Sequence, residues 1–469
     1  MTTDCNPQQL EFQDWARRIV VAAFDGGTIS SDGGVLLLAE VDRQRGILDR
    51  FAACFEDHRN PAYVEHSVQE LVRQRVFALA LAYEDLNDHD ELRTDPLLAT
   101  VVGKADPTGS DRRQEQDRGK PLAGKSTLNR LEWGAVTQDR YRKITVDDEA
   151  VDHFFVDVFL SAHEQAPAEI VLDLDATDDP LHGQQEGRFF HGYYGGYCYL
   201  PLYIFCGTHL LCARLRRSDA DASTGAVGEV EHIAAQIRQS WPEVHIILRA
   251  DSGFAREELM AWCEEHSVDF VFGLARNARL QRALGGELAQ ARELFEKSGK
   301  AARVFKDFTY RTRKSWSRQR RVIGKAEHLE MGANPRFLVT SLDCEQWAAQ
   351  VLYEKLYCAR GEMENRIKEQ QLCLFADRTS THFEASNQVR LWLSSVAYIL
   401  LNELRRLGLA GTELAHARCD TIRNKLLKIG AQVRVTVRRV WVHLSSSYPY
   451  AALFHQIVGR LRSGPVAVA

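Results

Sequence analysis

No run of apolar residues in this 469-residue chain is long enough to cross a bilayer as a helix, which excludes an α-helical membrane protein. The N-terminus, MTTDCNPQQLEFQ, has neither the basic start nor the apolar centre of a secretory leader, so residence in the cytoplasm is expected. Ten cysteines are scattered without a CxxC pair, and Cys198, Cys206 and Cys212 lie in apolar, strand-like sequence. Buried reduced thiols are expected, not a disulfide framework or a zinc site. No internal repeat is visible. Positive charge is not in excess either, since the net charge is −5.

What is present is positive charge in local concentrations, and distribution matters more than the sum. RTRKSWSRQRR, Arg311 to Arg321, is dense in arginine and lysine and holds no acid. Arg418, Arg423, Lys425, Lys428, Arg434, Arg438 and Arg439 form a second basic region with Asp420 its only acid. The acidic surplus lies elsewhere, notably in YEDLNDHDELRTD from Tyr83 to Asp95. Local basic patches on an acidic protein are compatible with DNA binding without establishing it.

A chain of this length predicts several domains. Residues 1–165 read mostly as helices, including Ser30 to Gly46 and His66 to Leu86, with a flexible polar loop at Gly103 to Lys120 and a helix from Ser126. At Glu169 the pattern changes. EIVLDLDAT, YCYLPLYIFCG and HLLCARLRR read as strands around a Gly- and aromatic-rich loop, FFHGYYGGY; a helix, a strand, a helix and a strand follow. That order predicts an α/β fold, a mixed sheet flanked by helices, over 166–276. A β-rich insertion is expected over 277–350, a return to the core over 351–410, and a basic C-terminal region over 411–469.

Three acids then draw attention. Asp175 ends the apolar run IVLDLD, and Asp251 ends VHIILRAD; each opens into a turn, where open α/β sheets place ligand groups. The third is in YCARGEMENRIKEQQ. Read as a helix at about 100° per residue, it gathers Tyr357, Arg360, Glu364 and Lys368 within an arc of roughly 80°. Leu352, Leu356, Met363, Ile367 and Leu374 make an adjoining apolar stripe that anchors it. Taken singly, the aspartates are ordinary turn formers and the helix an ordinary solvated face with i,i+4 ion pairs. Taken together, two strand-end aspartates and a helical glutamate can hold two magnesium ions about 4 Å apart, for in-line transfer at a phosphodiester.

In these features the chain resembles a DDE transposase of bacterial insertion sequences, with a ribonuclease H-like core. The branch it resembles carries Tyr, two residues, Arg, three residues, Glu, six residues, Lys. Tyr357, Arg360 and Glu364 fit that spacing, whereas position 371 is Gln, leaving Lys368 one turn earlier to serve. SSDGGVLLLAEVD, ALAYEDLNDHDELRTDPLL, KSTLNRLE, LDLDATDDPLHG and RADSGF also look like one subgroup, so the likeness covers nearly the whole chain.

The resemblance implies that Asp175, Asp251 and Glu364 are the metal-binding catalytic triad. The D-x-T pattern favours Asp175 over Asp173, which shares its face. Two Mg²⁺ ions are implied, with Mn²⁺ able to substitute. Tyr357, Arg360 and Lys368 would contact phosphates of double-stranded DNA, at the terminal repeats and the target. Arg313, Lys314, Arg318, Arg320 and Arg321 would hold phosphates while Trp316 either stacks on an unpaired base or covers the insertion's small core. The helical N-terminal region and basic C-terminal segments would recognise the ends, with a homodimer on DNA and no membrane partner. The alternative is a catalytically silent, transposase-derived DNA-binding protein. GKPLAGKS, Gly119 to Ser126, fits the phosphate-loop pattern, but SDRRQEQDRG before it cannot be the buried strand that pattern needs.

Overall fold

The structure is a computed structural model describing residues 9–12, 20–133 and 142–463. Residues 1–8 of the N-terminal segment and the last six residues of the C-terminal region lie outside the described residues. The chain forms two compact units. One gathers the described residues up to Ala53, Asp57–Leu131 and those from Val396 onward; the other is Cys54–Glu56 with Glu132–Ser395. Of the five segments read along the sequence, residues 132–165 of the first fall with the core and insertion, and residues 396–410 fall with the N- and C-terminal segments.

The second unit is built on one large mixed sheet. Its strands are β1 (Glu169–Ala176), β2 (Leu202–Cys206), β3 (His209–Arg214), β4 (His245–Ala250), β5 (Asp269–Leu274), β6 (Ala302–Tyr310), β7 (Arg320–Leu329) and β8 (Arg336–Thr340). They lie in the order β3-β2-β1-β4-β5-β8-β7-β6. The hairpin strands β2 and β3 run antiparallel, whereas β4 is parallel to both β1 and β5. The β-rich insertion does not stand apart. Its strand β8 pairs antiparallel with β5, so the same sheet continues through β8, β7 and β6.

Side-chain alternation gives the sheet two faces. Ile170, Leu172, Leu174, Ile246, Leu248, Phe270 and Phe272 pack on one face with Val230, Ile233 and Leu259 of helices α2 (Ala226–Ser240) and α3 (Glu257–Glu265); helix α1 (Asp148–Ser161) adds Val156 and Phe159. The other face carries Ile247, Val271, Ile323 and Leu338, covered by Leu352, Tyr353 and Leu356. The insertion adds helix α4 (Gly285–Ser298), whose Ala291 joins the first face.

In the first unit the predicted helices appear at Val35–Arg45, closed by Gly46 in the left-handed region, and at Val68–Ala80, opened by a Ser67–Glu70 capping box. The basic tail folds onto this helical region: Ala431–Val435 pairs with Val440–Leu444 and with Ile29–Ser30. Lys428 Nζ lies 2.7 Å from buried Asp32. The alternating stretch QVRVTVRRVWVHL in the basic C-terminal region is therefore a hairpin. The loop expected to be flexible at Gly103 to Lys120 is also different, being pinned by its own polar groups. Asp106 accepts from the backbone N–H groups of Thr108 and Ser110, and Arg112 Nη2 donates to Glu65 at 2.9 Å.

Arg320 locks the insertion to the core. Its side chain is 2% exposed, with Nη1 2.7 Å from Glu257 and Nε 2.7 Å from Glu264, both on or ending α3. Burial opposes ionisation of Glu257, but hydrogen bonds from Arg320 and Ser317 bring its carboxyl down to about 2. Removing one partner of a buried pair strands the others, so Arg320→Ala is expected to cost roughly 3–5 kcal/mol, read by denaturant unfolding. Because the folded value of Glu257 is depressed, its contribution is complete above an ordinary glutamate value of about 4.3 and is lost as pH falls toward about 2. The variant should show a shallower loss of stability across that window.

Candidate active site

Asp175 and Asp251 are brought side by side by strand register. β1 and β4 pair from His245 opposite Glu169 to Ala250 opposite Leu174, so both aspartates fall one position beyond the last pair. Neighbouring strands lie about 4.8 Å apart. Alternation puts Asp173, Asp175, Arg249 and Asp251 on one face, the face covered by the segment leading into the Glu364 helix. The N–H of Gly253 donates to Asp251 Oδ1 at 2.8 Å and holds that carboxylate in its turn.

Burial separates the two acids of β1. Asp173 is 3% exposed, and both its oxygens are taken by Arg249, from Nε at 2.5 Å and Nη2 at 2.7 Å. Nη1 of the same guanidinium donates to the Leu356 carbonyl. Asp173 is thereby committed to structure. Asp175 has a looser partner, Arg360 Nη1 at 3.6 Å, beyond a normal hydrogen bond. Arg249 was missed in the sequence; its signal was a basic residue inside an apolar strand, which demands a buried acid.

Residues Ala349 to Leu374 form one helix of changing pitch. A first turn, Ala349–Val351, leads into a π-helical stretch at Leu352–Tyr357, a 3-10 turn at Cys358–Arg360, and the α-helix α5 (Gly361–Leu374). The even α-helix expected from the sequence is thus interrupted just where Tyr357 and Arg360 reach the sheet; such interruptions are frequent at functional sites. Tyr357 lies over Gly273 of β5, where a Cβ would sit 2.7 Å from the Tyr357 hydroxyl and 2.9 Å from the Ser252 nitrogen. One turn on, Arg360 Nη2 donates to Glu364 Oε1 at 2.7 Å.

One guanidinium therefore touches both Asp175 and Glu364. Burial, followed by the charges of Asp251 and Glu364, pushes the Asp175 carboxyl up to about 6 against the pull of Arg360. Arg360 is itself raised: burial opposes its charge, but Asp175, Tyr357, Glu364 and Asp251 together overcome it. All three acids thus lie in one electrostatic neighbourhood. Among the described residues no three His, Cys, Asp or Glu side chains form a ready metal cluster. Arg360 lies between Asp175 and Glu364, supplying positive charge there. The donor set, carboxylate oxygens only, is of the kind that suits a hard divalent cation.

The remaining predicted residues fare differently. Lys368 is exposed, while Gln371 donates its amide to the Asp178 carbonyl at 3.0 Å, three residues past Asp175. Arg313 and Lys314 are exposed, as is Arg318, 3.3 Å from Glu264. Arg320 and Arg321 are engaged internally, Arg321 with Asp307 and the carbonyls of Leu342 and Trp347. Trp316 is only 4% exposed and packs edge-on against Tyr310, with Arg320 5.6 Å from its ring centre. It covers the insertion's core, and stacking on a base would require it to leave that core. Exposed aromatics lie instead on the small sheet of Asp179–Pro180, Phe189–His191 and Gly196–Tyr199, with Phe190 51% and Tyr193 86% exposed. Burial, then Asp178, Asp175 and Asp251, pushes the Tyr194 phenol up to about 12, which brings this hairpin into the field of the acids. Its sequence signal was the aromatic density of FFHGYYGGY.

A raised acid costs stability once ionised. With its folded value near 6, Asp175 is neutral with no penalty below about pH 4 and carries the full penalty above about pH 6. Asp175→Asn is expected to raise the unfolding free energy of metal-free protein at pH 7.5 by about 1–3 kcal/mol, and the gain should vanish near pH 4. Thermal melts across pH would check this. Gly273→Ala should instead destabilise, by roughly 1–3 kcal/mol, because backbone as well as the Tyr357 hydroxyl must move.

No curated protein matches the chain. Among solved structures, a piggyBac transposase synaptic complex with hairpin DNA is similar at 11% identity and a TM-score of 0.41, over 93% of this chain and 83% of that one. A family model described as the transposase DDE domain, group 1, matches residues 12–466, almost the entire length, and the chain belongs to that family.

Proposed function

We propose that this protein is a DNA transposase that cleaves the ends of an insertion sequence and joins them to target DNA, with Asp175, Asp251 and Glu364 as its metal-binding acids. The observation carrying this reading is the common electrostatic neighbourhood of the three acids, formed by strand register and by Arg360 reaching both Asp175 and Glu364. Family membership agrees with it. Two Mg²⁺ ions held there, with Mn²⁺ able to replace them, would activate the attacking oxygen and stabilise the leaving one. The strand order β3-β2-β1-β4-β5, antiparallel through the hairpin and parallel thereafter, is what we read as a ribonuclease H-like core.

The chain's own groups would position the strand. Arg360, displaced from Glu364, would meet a phosphate beside the acids, and Tyr357, held over Gly273, would present its hydroxyl there. Lys368, Arg313, Lys314 and Arg318 are exposed cations suited to backbone phosphates. The exposed aromatics of the Phe189–Tyr197 hairpin would lie along the bases next to them. Two copies acting together on paired ends, in the cytoplasm, complete the reading.

Strand cleavage on DNA carrying the element's ends, with Mg²⁺, tests it. Glu364→Gln is expected to lower cleavage roughly a hundredfold or more while leaving DNA binding intact. Cleavage unchanged in that variant would sink the triad. Wild-type protein that binds DNA but cuts no strand would instead identify a silent binding protein. Independently of activity, Mg²⁺ should raise the melting temperature of wild type and not of Asp175→Asn.

A further inference from the structure

Away from the acids, the first unit contains a cleft of about 520 Å³, within the size range of small-molecule sites. Six permanent cations line it: Arg59, Arg93, Arg112, Arg113, Lys125 and Arg130. Three acids, Glu65, Asp90 and Asp117, share the lining, and Arg59 is paired with Asp57 at 2.6 Å. Those acids are already engaged. Arg93 reaches Asp117 at 3.0 Å, Arg112 reaches Glu65 at 2.9 Å, and Lys125 reaches Asp90 at 3.1 Å. Two lining cations have no carboxylate partner among the described residues: Arg113, whose guanidinium rests on the Ala62 carbonyl, and exposed Arg130.

Buried donors point the same way. Arg112 has a side chain 8% exposed, yet its Nε has no hydrogen-bond partner among the described residues; nor do Arg93 Nε and His66 Nδ1. Burial, followed by Lys104, Arg112, Arg93 and Arg59, pushes the His66 imidazole down to about 2, so it stays neutral among these cations. Convergent cations with too few acids repel one another, and an anion relieves that cost.

The mouth of the cleft is the piece of sequence that fitted a phosphate loop without its strand. Gly124, Lys125, Ser126 and Thr127 line it at the start of the helix Lys125–Glu132. The N–H and hydroxyl of Ser126 have no partner among the described residues, and a helix start favours negative charge. At Gly124 a Cβ would lie 3.1 Å from Asp90 Oδ1 and 3.4 Å from Arg93 Nη1.

We propose that this cleft binds the phosphate of a nucleotide unit, held by Arg113, Lys125, Arg130 and the Ser126 amide. A DNA backbone and a free nucleotide offer the same phosphate chemistry, and the experiment separates them. Because binding is measured without divalent metal, and in parallel on Glu364→Gln, its failure is distinct from failure of the cleavage reading.

The full-length wild type and the double variant Arg113→Ala/Arg130→Ala, both sites exposed and neither paired to an acid, are compared. Equilibrium binding to a short duplex of arbitrary sequence is measured across salt, and melting temperature is followed with inorganic phosphate and with ATP. If DNA supplies the phosphate, the double variant binds more weakly and its log–log salt slope falls by about 2, with Arg113→Lys/Arg130→Lys restoring the slope. If a free nucleotide supplies it, ATP or phosphate raises the wild-type melting temperature and not the variant's. An unaltered salt slope together with no response to phosphate or ATP overturns the proposal.

Discussion

The arrangement of the candidate site depends on one buried guanidinium. Arg249 forks onto Asp173 across two parallel strands and reaches on to the Leu356 carbonyl. Burying a charge is costly unless every donor is met, so this pair tolerates only one register between β1 and β4. The same register sets Asp175 beside Asp251. The third bond of Arg249 ties the segment carrying Tyr357, Arg360 and Glu364 to the same face.

Asp175 itself opposes folding once it is ionised. Asp175 is mostly buried beside two other carboxylates, and the charge of Arg360 moderates their repulsion. Holding like charges close together in a partly buried place carries a cost in stability. The framework carries that cost through its large apolar faces and through locks such as Arg320 between the insertion and α3. Arginines thus differ within one unit: Arg249 and Arg320 meet their acids in buried, multiply bonded pairs, while Arg360 bonds Glu364 at 2.7 Å and stands 3.6 Å from Asp175.

Much of the site could be read in the sequence because its positions follow simple periods. Asp175 and Asp251 each end an apolar run, which puts them at the ends of adjacent central strands. Glu364 was separated from Glu362 and Glu369 by helical spacing, and Glu369 indeed proves buried and paired with Arg366. The family pattern placed Tyr357 and Arg360. The basic stretch misled, because composition does not say which guanidinium will find an acid. Arg320 and Arg321 found Glu257, Glu264 and Asp307 through pairings between distant segments, and Trp316 turned inward with them.

Most element types, their order and the positions of the three acids at strand ends and on a helix face were legible in the sequence, since these rest on local propensity and periodic burial. Packing in three dimensions decided that the insertion extends the core sheet, and that Asp173 is taken by Arg249 while Asp175 meets Arg360 at 3.6 Å. It also decided that a loop fitting a phosphate pattern without its strand lines an arginine-rich cleft. Each of those outcomes is a choice of partner across long sequence separation. Only packing in three dimensions sets which buried charges meet.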